Sequence, residues 1–343
     1  MENQENPLLV PQRIEGRVVS AIDFGLGEDE AKEEPQESPE FIESNTSAIT
    51  LADLATKCIV PTFSDTSLTI SHQNFIACVA KAATEVFGDI TPIECRVSHP
   101  INGRTPDALY LKESELRPEQ KTLFYQRMAF VSHIESLTRI VNGLPVHLCV
   151  GGVRAYNEDK LYNRKSPEKF KIFVGWQVKV CSNLMLTCSG NSGTIECMTE
   201  ADLYQKAYQL FRAFEPEKDN ELTILENLQN TKISEEQFCH IIGRLRLLQF
   251  MPSDQKVGVP DIILGDQIIN GAVKGYVENP NFGKCLGADY SCYSFMQNLN
   301  EAAKASYIDK WLDRNQNCTD LAIGISNYLS GDPAGACFGW FLC

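Results

Sequence analysis

The chain has 343 residues, 43% of them hydrophobic and 22% charged, enough for about two domains and close to the globular average. That composition excludes a wholly disordered chain, a collagen and a coiled-coil rod. The net charge of −14 excludes a molecule that binds nucleic acid with its whole surface, and the lack of any run of about 18 apolar residues argues against a membrane span.

Met1 to Val10 is too polar for a signal peptide, so a cytoplasmic protein is expected. Residues 1–50 carry 12 acidic side chains against three bases (Arg13, Arg17 and Lys32). The stretch Gly25 to Ser47 holds Pro35, Pro39 and few apolar groups, too few to offset chain entropy, so residues 1–47 read as a disordered acidic tail. A short strand over Arg13 to Val19 is the one element the tail could hold.

Residues 48–198 read as an α+β region built on an antiparallel sheet. Leu51, Leu54, Ala55 and Cys58 recur at helical spacing until Pro61 stops them. Ser71 reads as the N-cap of a helix through Phe75, Val79 and Val86, closed by Gly88. Ile93 to Ser98 reads as a strand, and Leu123 to Ile134 as another. Asn142-Gly143 between apolar runs is a hairpin signal, because both residues tolerate positive φ. The returning strand, Val146 to Tyr156, carries Gly151-Gly152, a pair that marks a bulge or a close backbone approach.

The strand Lys169 to Cys181 separates into two faces by its period of two. Phe170, Ile172, Val174, Trp176, Val178 and Val180 form the core face; Lys169, Lys171, Phe173, Gly175, Gln177 and Lys179 form the other. Arg154, Tyr156, Lys160, Tyr162, Arg164 and Lys165 lie upstream, so residues 154–179 hold seven bases against three acids. Lysines that neutralise phosphates beside a ring that stacks on a base make a surface for unpaired nucleic acid. An antiparallel sheet with one solvated, lysine-bearing face has the same pattern.

Residues 199–343 read as a helical region. Thr199 with Asp202, and Ser234 with Gln237, open like capping boxes. Helices are expected after Thr199, from Glu221, from Ser234 to Pro252, over Cys292 to Leu312 and over Thr319 to Leu329. Gly258 to Gly287 is glycine-rich and reads as looser chain with a β-like run at Ile262 to Leu264. The apolar end, Ala336 to Leu342, reads as a closing strand.

The thirteen cysteines are odd in number and lack any C-x-x-C pair, so buried, unreactive thiols are expected rather than a disulfide framework. His147-x-Cys149 supplies two ligands where structural zinc takes four, and no metal or cofactor is expected. Phosphate-loop, dinucleotide, zinc-protease and nucleophile-elbow motifs are absent. Cys149 or Cys181 could be paired on paper with His99 or His133, but a chain so rich in cysteine offers such pairs by composition alone.

Several segments together carry a family likeness. Cys58-Ile59-Val60-Pro61, Thr69-Ile70-Ser71-His72, Arg96-Val97-Ser98-His99-Pro100, Gly151 to Asn157, Glu168-Lys169-Phe170-Lys171, Val180-Cys181-Ser182-Asn183, Ala305 to Arg314 and Gly339-Trp340-Phe341-Leu342 resemble the uncharacterised domain-of-unknown-function family 3871. The Val180 to Asn183 stretch also resembles the phage and plasmid-type family 932. The resemblance implies cargo of a phage, plasmid or integrated element and brings no catalytic set.

The expectation is therefore an α+β protein acting as a non-enzymatic accessory factor that binds single-stranded or recombining DNA. Lys169, Lys171, Lys179 and Arg164 would meet phosphates, Phe173 would stack, and Arg154 and Tyr156 would extend the surface. A module that binds a host or element-encoded protein, and an enzyme of unknown reaction, are the alternatives.

Overall fold

The computed structural model describes residues 39–58, 69–108, 110–159, 166–284 and 290–343. The possible strand at Arg13 to Val19 lies outside them. Chain order begins with β1 (Thr46–Ala48), α1 (Leu51–Lys57), α2 (His72–Phe87), β2 (Glu94–Ser98), β3 (Ile101–Arg104), β4 (Lys121–Tyr125) and β5 (Met128–Val141). β6 (Leu144–Arg154), β7 (Glu168–Val178), β8 (Leu184–Met185) and β9 (Asn191–Cys197) follow. The helices α3 (Glu200–Phe214), α4 (Lys218–Asn227), α5 (Glu235–Phe250), α6 (Asp266–Glu278), α7 (Cys292–Ala303) and α8 (Ile308–Leu329) complete the α+β fold.

The main sheet is antiparallel, in the order β1-β2-β5-β6-β7-β8, and β9 pairs with the same edge of β7 beyond β8. β3 and β4 form a separate hairpin. β5 and β6 turn at Asn142 and Gly143, with φ of 51° and 80°, so both residues take the left-handed region that the sequence suggests. Local caps also follow the sequence: Ser71 Oγ accepts from the Asn74 N–H, and Ser234 and Gln237 exchange both bonds of a capping box.

The sheet is covered on both faces. One face, with Phe130, Val150, Phe170, Ile172 and Trp176, packs into the core that includes Phe75 and Val79 of α2 and Leu203 and Phe211 of α3. The other presents Ala129, Val131, Cys149, Val153 and Phe173 to Ile308, Trp311 and Leu312 of α8. Phe41 and Ile42 are buried in that second cluster, and Phe41 meets Trp311 at 5.5 Å between ring centroids. Packed chain thus begins ahead of the boundary expected at residue 47. Gly151 and Gly152 mark a close approach: a Cβ at Gly151 would lie 2.2 Å from the Phe130 carbonyl oxygen, and one at Gly152 2.4 Å from the Phe75 ring.

Several elements differ from the sequence reading. Leu123 to Ile134 is two strands, because at Gln126–Arg127 the chain bonds to Ser98 instead of a sheet ladder. Val180 is exposed, beyond the end of β7. The glycine-rich stretch contains α6, whose Gly271 and Gly275 face Ala302 and Asn298 of α7 so closely that a side chain would collide. Those glycines permit helix contact rather than a loop, and Ile262 to Leu264 is not a strand. The break between α7 and α8 falls at Lys304–Tyr307, and α8 runs unbroken for 22 residues. The apolar end is a 3-10 helix over Pro333–Phe341, not a strand. It lies along α8 because Gly335 and Gly339 admit Tyr328 while Phe338 lies over Gly324.

Candidate functional site

Two members of the proposed basic and aromatic face, Lys171 and Phe173, are interior. Lys171 is 4% exposed, and its ammonium donates to Asp313 Oδ2 at 3.0 Å, Glu158 Oε1 at 3.3 Å and the Asp309 carbonyl at 3.2 Å. Burial pulls its pKa down, but Asp313 and Glu158 outweigh burial and hold it above the ordinary lysine value. Phe173 is fully buried and stands edge-on to Trp311, 5.8 Å between centroids. Lys169 is half-buried, and Lys179 is exposed past the strand end. Arg164 lies outside the described residues.

Arg154 and Tyr156 do not extend that face. Val153 is the residue registered opposite Lys171, so Arg154 turns to the other side of the sheet. Its guanidinium lies between the rings of Phe170, 3.9 Å from the centroid, and Tyr156, 4.5 Å away. It donates to Asp159 Oδ2 at 3.0 Å and Glu168 Oε2 at 2.6 Å. Asp159 also accepts from the Lys169 N–H, and Glu168 from the Ile70 N–H. His72 bonds the Gln126 carbonyl at 3.0 Å and packs on Tyr156, while Cys58 Sγ donates to Gln126 Oε1.

Desolvation dominates the acid–base behaviour of this buried cluster. It lifts Asp159 to about 6 against the opposing pull of Arg154, and lowers His72 to about 4. Among the described residues, Arg154 Nε and Nη1, Tyr156 Oη and His72 Nδ1 have no hydrogen-bond partner. Segments that carry the family likeness, scattered from Cys58 to Glu168 in sequence, meet here through Cys58, Ile70, His72, Ser98, Arg154, Tyr156 and Glu168. The arrangement ties α2 to one end of the sheet; its side chains are too buried to receive a ligand from solvent.

An accessible site lies elsewhere. A half-open cavity of 630 Å³ is framed by Glu43-Ser44-Asn45, the start of α6, the α7–α8 connection and Arg314 of α8. The volume falls within the range of small-molecule sites. The Glu43 and Ser44 amides bond the Lys304 carbonyl, which seats that segment on the end of α7. α6 begins at Gly265, which has no side chain to cap the first turn, and a Cβ there would lie 3.8 Å from Arg314 Nη2. Tyr307, exposed at the rim, flanks the start of α8 and likewise makes no side-chain cap.

Arg314 is half-buried, and its one side-chain partner among the described residues is Ser306 Oγ at 3.2 Å. A guanidinium without a carboxylate, beside uncapped backbone amides, is an acceptor-binding arrangement. Asp266 on the same rim is engaged by Arg246. The sequence reading passed over this group. Arg314 ends the likeness segment Ala305 to Arg314, and a glycine where a serine or threonine cap is usual was the local signal at Gly265.

The family model described as "Domain of unknown function, B. Theta Gene description (DUF3871)" matches residues 28–342. The chain belongs to the DUF3871 family. No curated protein and no solved structure matches this DUF3871 chain. Among its described residues, no helix is long and apolar enough to cross a membrane, and no group of three or more metal-ligating side chains occurs.

Proposed function

We propose that the protein is a non-enzymatic binding module that holds a ligand by an acidic group, carboxylate or phosphate, in the cleft between α6 and α8. The observation that carries this reading is Arg314: a half-buried cation that, among the described residues, has a hydroxyl and no carboxylate for a partner, at the wall of a 630 Å³ cavity. The Asp266 and Gln267 amides that open α6 supply further donors, because Gly265 leaves them without a side-chain cap. The cytoplasmic, mobile-element setting belongs to this proposal, and a terminal phosphate of a DNA strand is one source of the acidic group. The sheet face, covered by α8, plays no part in it.

Calorimetric titration of the full chain with inorganic phosphate, acetate and glutarate tests the reading. A 30-nucleotide single strand with and without a 5′-phosphate tests the nucleic-acid source. At least one acidic probe is expected to bind, and Arg314→Gln to weaken it by about tenfold or more, the cost of one charged hydrogen bond. Absence of binding by every probe, or equal binding by Arg314→Gln, overturns the proposal. DNA that binds equally with and without its phosphate removes the strand end as the source.

A further inference from the structure

The cleft carries a second unanswered charge. Glu43 lines it together with Arg314, on the segment seated at the end of α7. Its carboxylate forms no ion pair among the described residues, and Arg314 is not among the charges that act on it, which are Lys304, Glu301 and Glu40. Lys304, the base among those charges, is buried and committed to the Cys181 carbonyl and to Glu301. Glu43 is exposed to solvent along much of its side chain, and partial desolvation raises its pKa, with Lys304 opposing the rise and Glu301 and Glu40 adding to it. Ser44 and Asn45, on the same wall, offer neutral acceptors beside it.

An acid and a base that share one cavity without pairing call for a ligand of both signs. Each gains a charge-assisted bond, and neither has to give up an internal partner first. We infer that the ligand is a zwitterion of the amino-acid class, its carboxylate at Arg314 and its ammonium at Glu43: a short peptide with free ends. The inference rests on the cleft reading above and adds the cationic seat to it. A phosphate without an amine satisfies the Arg314 wall and leaves Glu43 facing a like charge.

The test is calorimetric titration of the full chain with trialanine in three forms: free ends, N-acetylated, and C-amidated. The free form is expected to bind most tightly. Acetylation is expected to cost about tenfold, the loss of one charged bond, and amidation at least as much. Glu43→Gln should bring the free form down to the acetylated one and leave the acetylated form unchanged. Glu43 is exposed, so this variant keeps the packing of the fold.

Equal binding of free and acetylated trialanine by the wild type removes the ammonium seat while the Arg314 reading stands. Failure of every trialanine form, with phosphate or glutarate still bound through Arg314, removes the amino-acid class and again leaves the cleft in place. Failure of every probe in both series overturns both proposals.

Discussion

Replacing Lys171 separates a buried structural ion pair from a surface phosphate contact. Lys171→Met keeps most of the stem's packing and removes the ammonium. It leaves Asp313 and Glu158, whose side chains are 35% and 23% exposed, without their cation. Removing one partner of a fully buried pair costs about 3–5 kcal/mol. Partial hydration of the two acids lowers the expected loss to about 2–3 kcal/mol, a fall in melting temperature of roughly 4–6 °C for a unit of this size. Lys171→Glu adds a third carboxylate at the same point, and its loss should exceed about 5 kcal/mol. Lys179→Glu, on an exposed side chain, should stay within about 0.5 kcal/mol. Urea denaturation followed by circular dichroism measures all three variants. A folded Lys171→Glu protein with wild-type stability, or equal losses at positions 171 and 179, would refute the interior assignment. A Lys171 in contact with phosphates makes the opposite forecast: unchanged stability and weaker binding of a single strand.

The Arg154 cluster predicts two opposed pH dependences. Asp159 has its folded pKa raised to about 6, so its stabilising contribution is present at low pH and lost as pH rises through 6. His72 has its folded pKa depressed to about 4, so its contribution is present above its ordinary value of 6.5 and lost as pH falls toward 4. Each amounts to about 3 kcal/mol at its limit, so the two largely offset one another between pH 4 and 6.5. Asp159→Asn should therefore lose stability steeply from pH 6.5 to 4.5, and His72→Gln should gain; parallel urea midpoints for the two variants across that range would contradict the assignments. Two glycines predict opposite signs. Gly151→Ala drives a methyl onto the Phe130 carbonyl and the Phe173 ring and should cost more than about 2 kcal/mol, whereas Gly243→Ala, on the open surface of α5, should add up to about 1 kcal/mol. Thermal melts decide both, and a stabilised Gly151→Ala would mean that the strands are not so closely packed.

Local signals were legible in the sequence where the cause is local. The Asn142-Gly143 turn, the Ser71 cap and the Ser234–Gln237 box depend on neighbouring residues and fold as their chemistry suggests. The alternation along β7 correctly grouped Lys171 with Phe173 and set both apart from Phe170 and Ile172. It could not say what covers each group, because α8 arrives from more than 130 residues downstream. Arg154 looked contiguous with Lys171 by proximity in sequence, and only the register of β6 on β7 places them on opposite faces. Gly271 and Gly275 signalled loop because a helix interior ordinarily disfavours glycine; their use is contact with α7, a long-range fact. The cleft had still less signature, since Glu43, Gly265 and Arg314 come from three distant segments and each is unremarkable alone.

The most direct test of the Arg314 assignment is chemical protection. The full chain is treated with an arginine-selective dicarbonyl reagent, with and without a saturating acidic probe that calorimetry has shown to bind, and modification is mapped by mass spectrometry. Arg314 should be modified in the free protein and protected by the probe. Arg212, exposed on α3 away from the cleft residues, should react equally in both, and buried Arg154 in neither. Equal modification of Arg314 with and without bound probe would contradict the claim that this guanidinium holds the ligand.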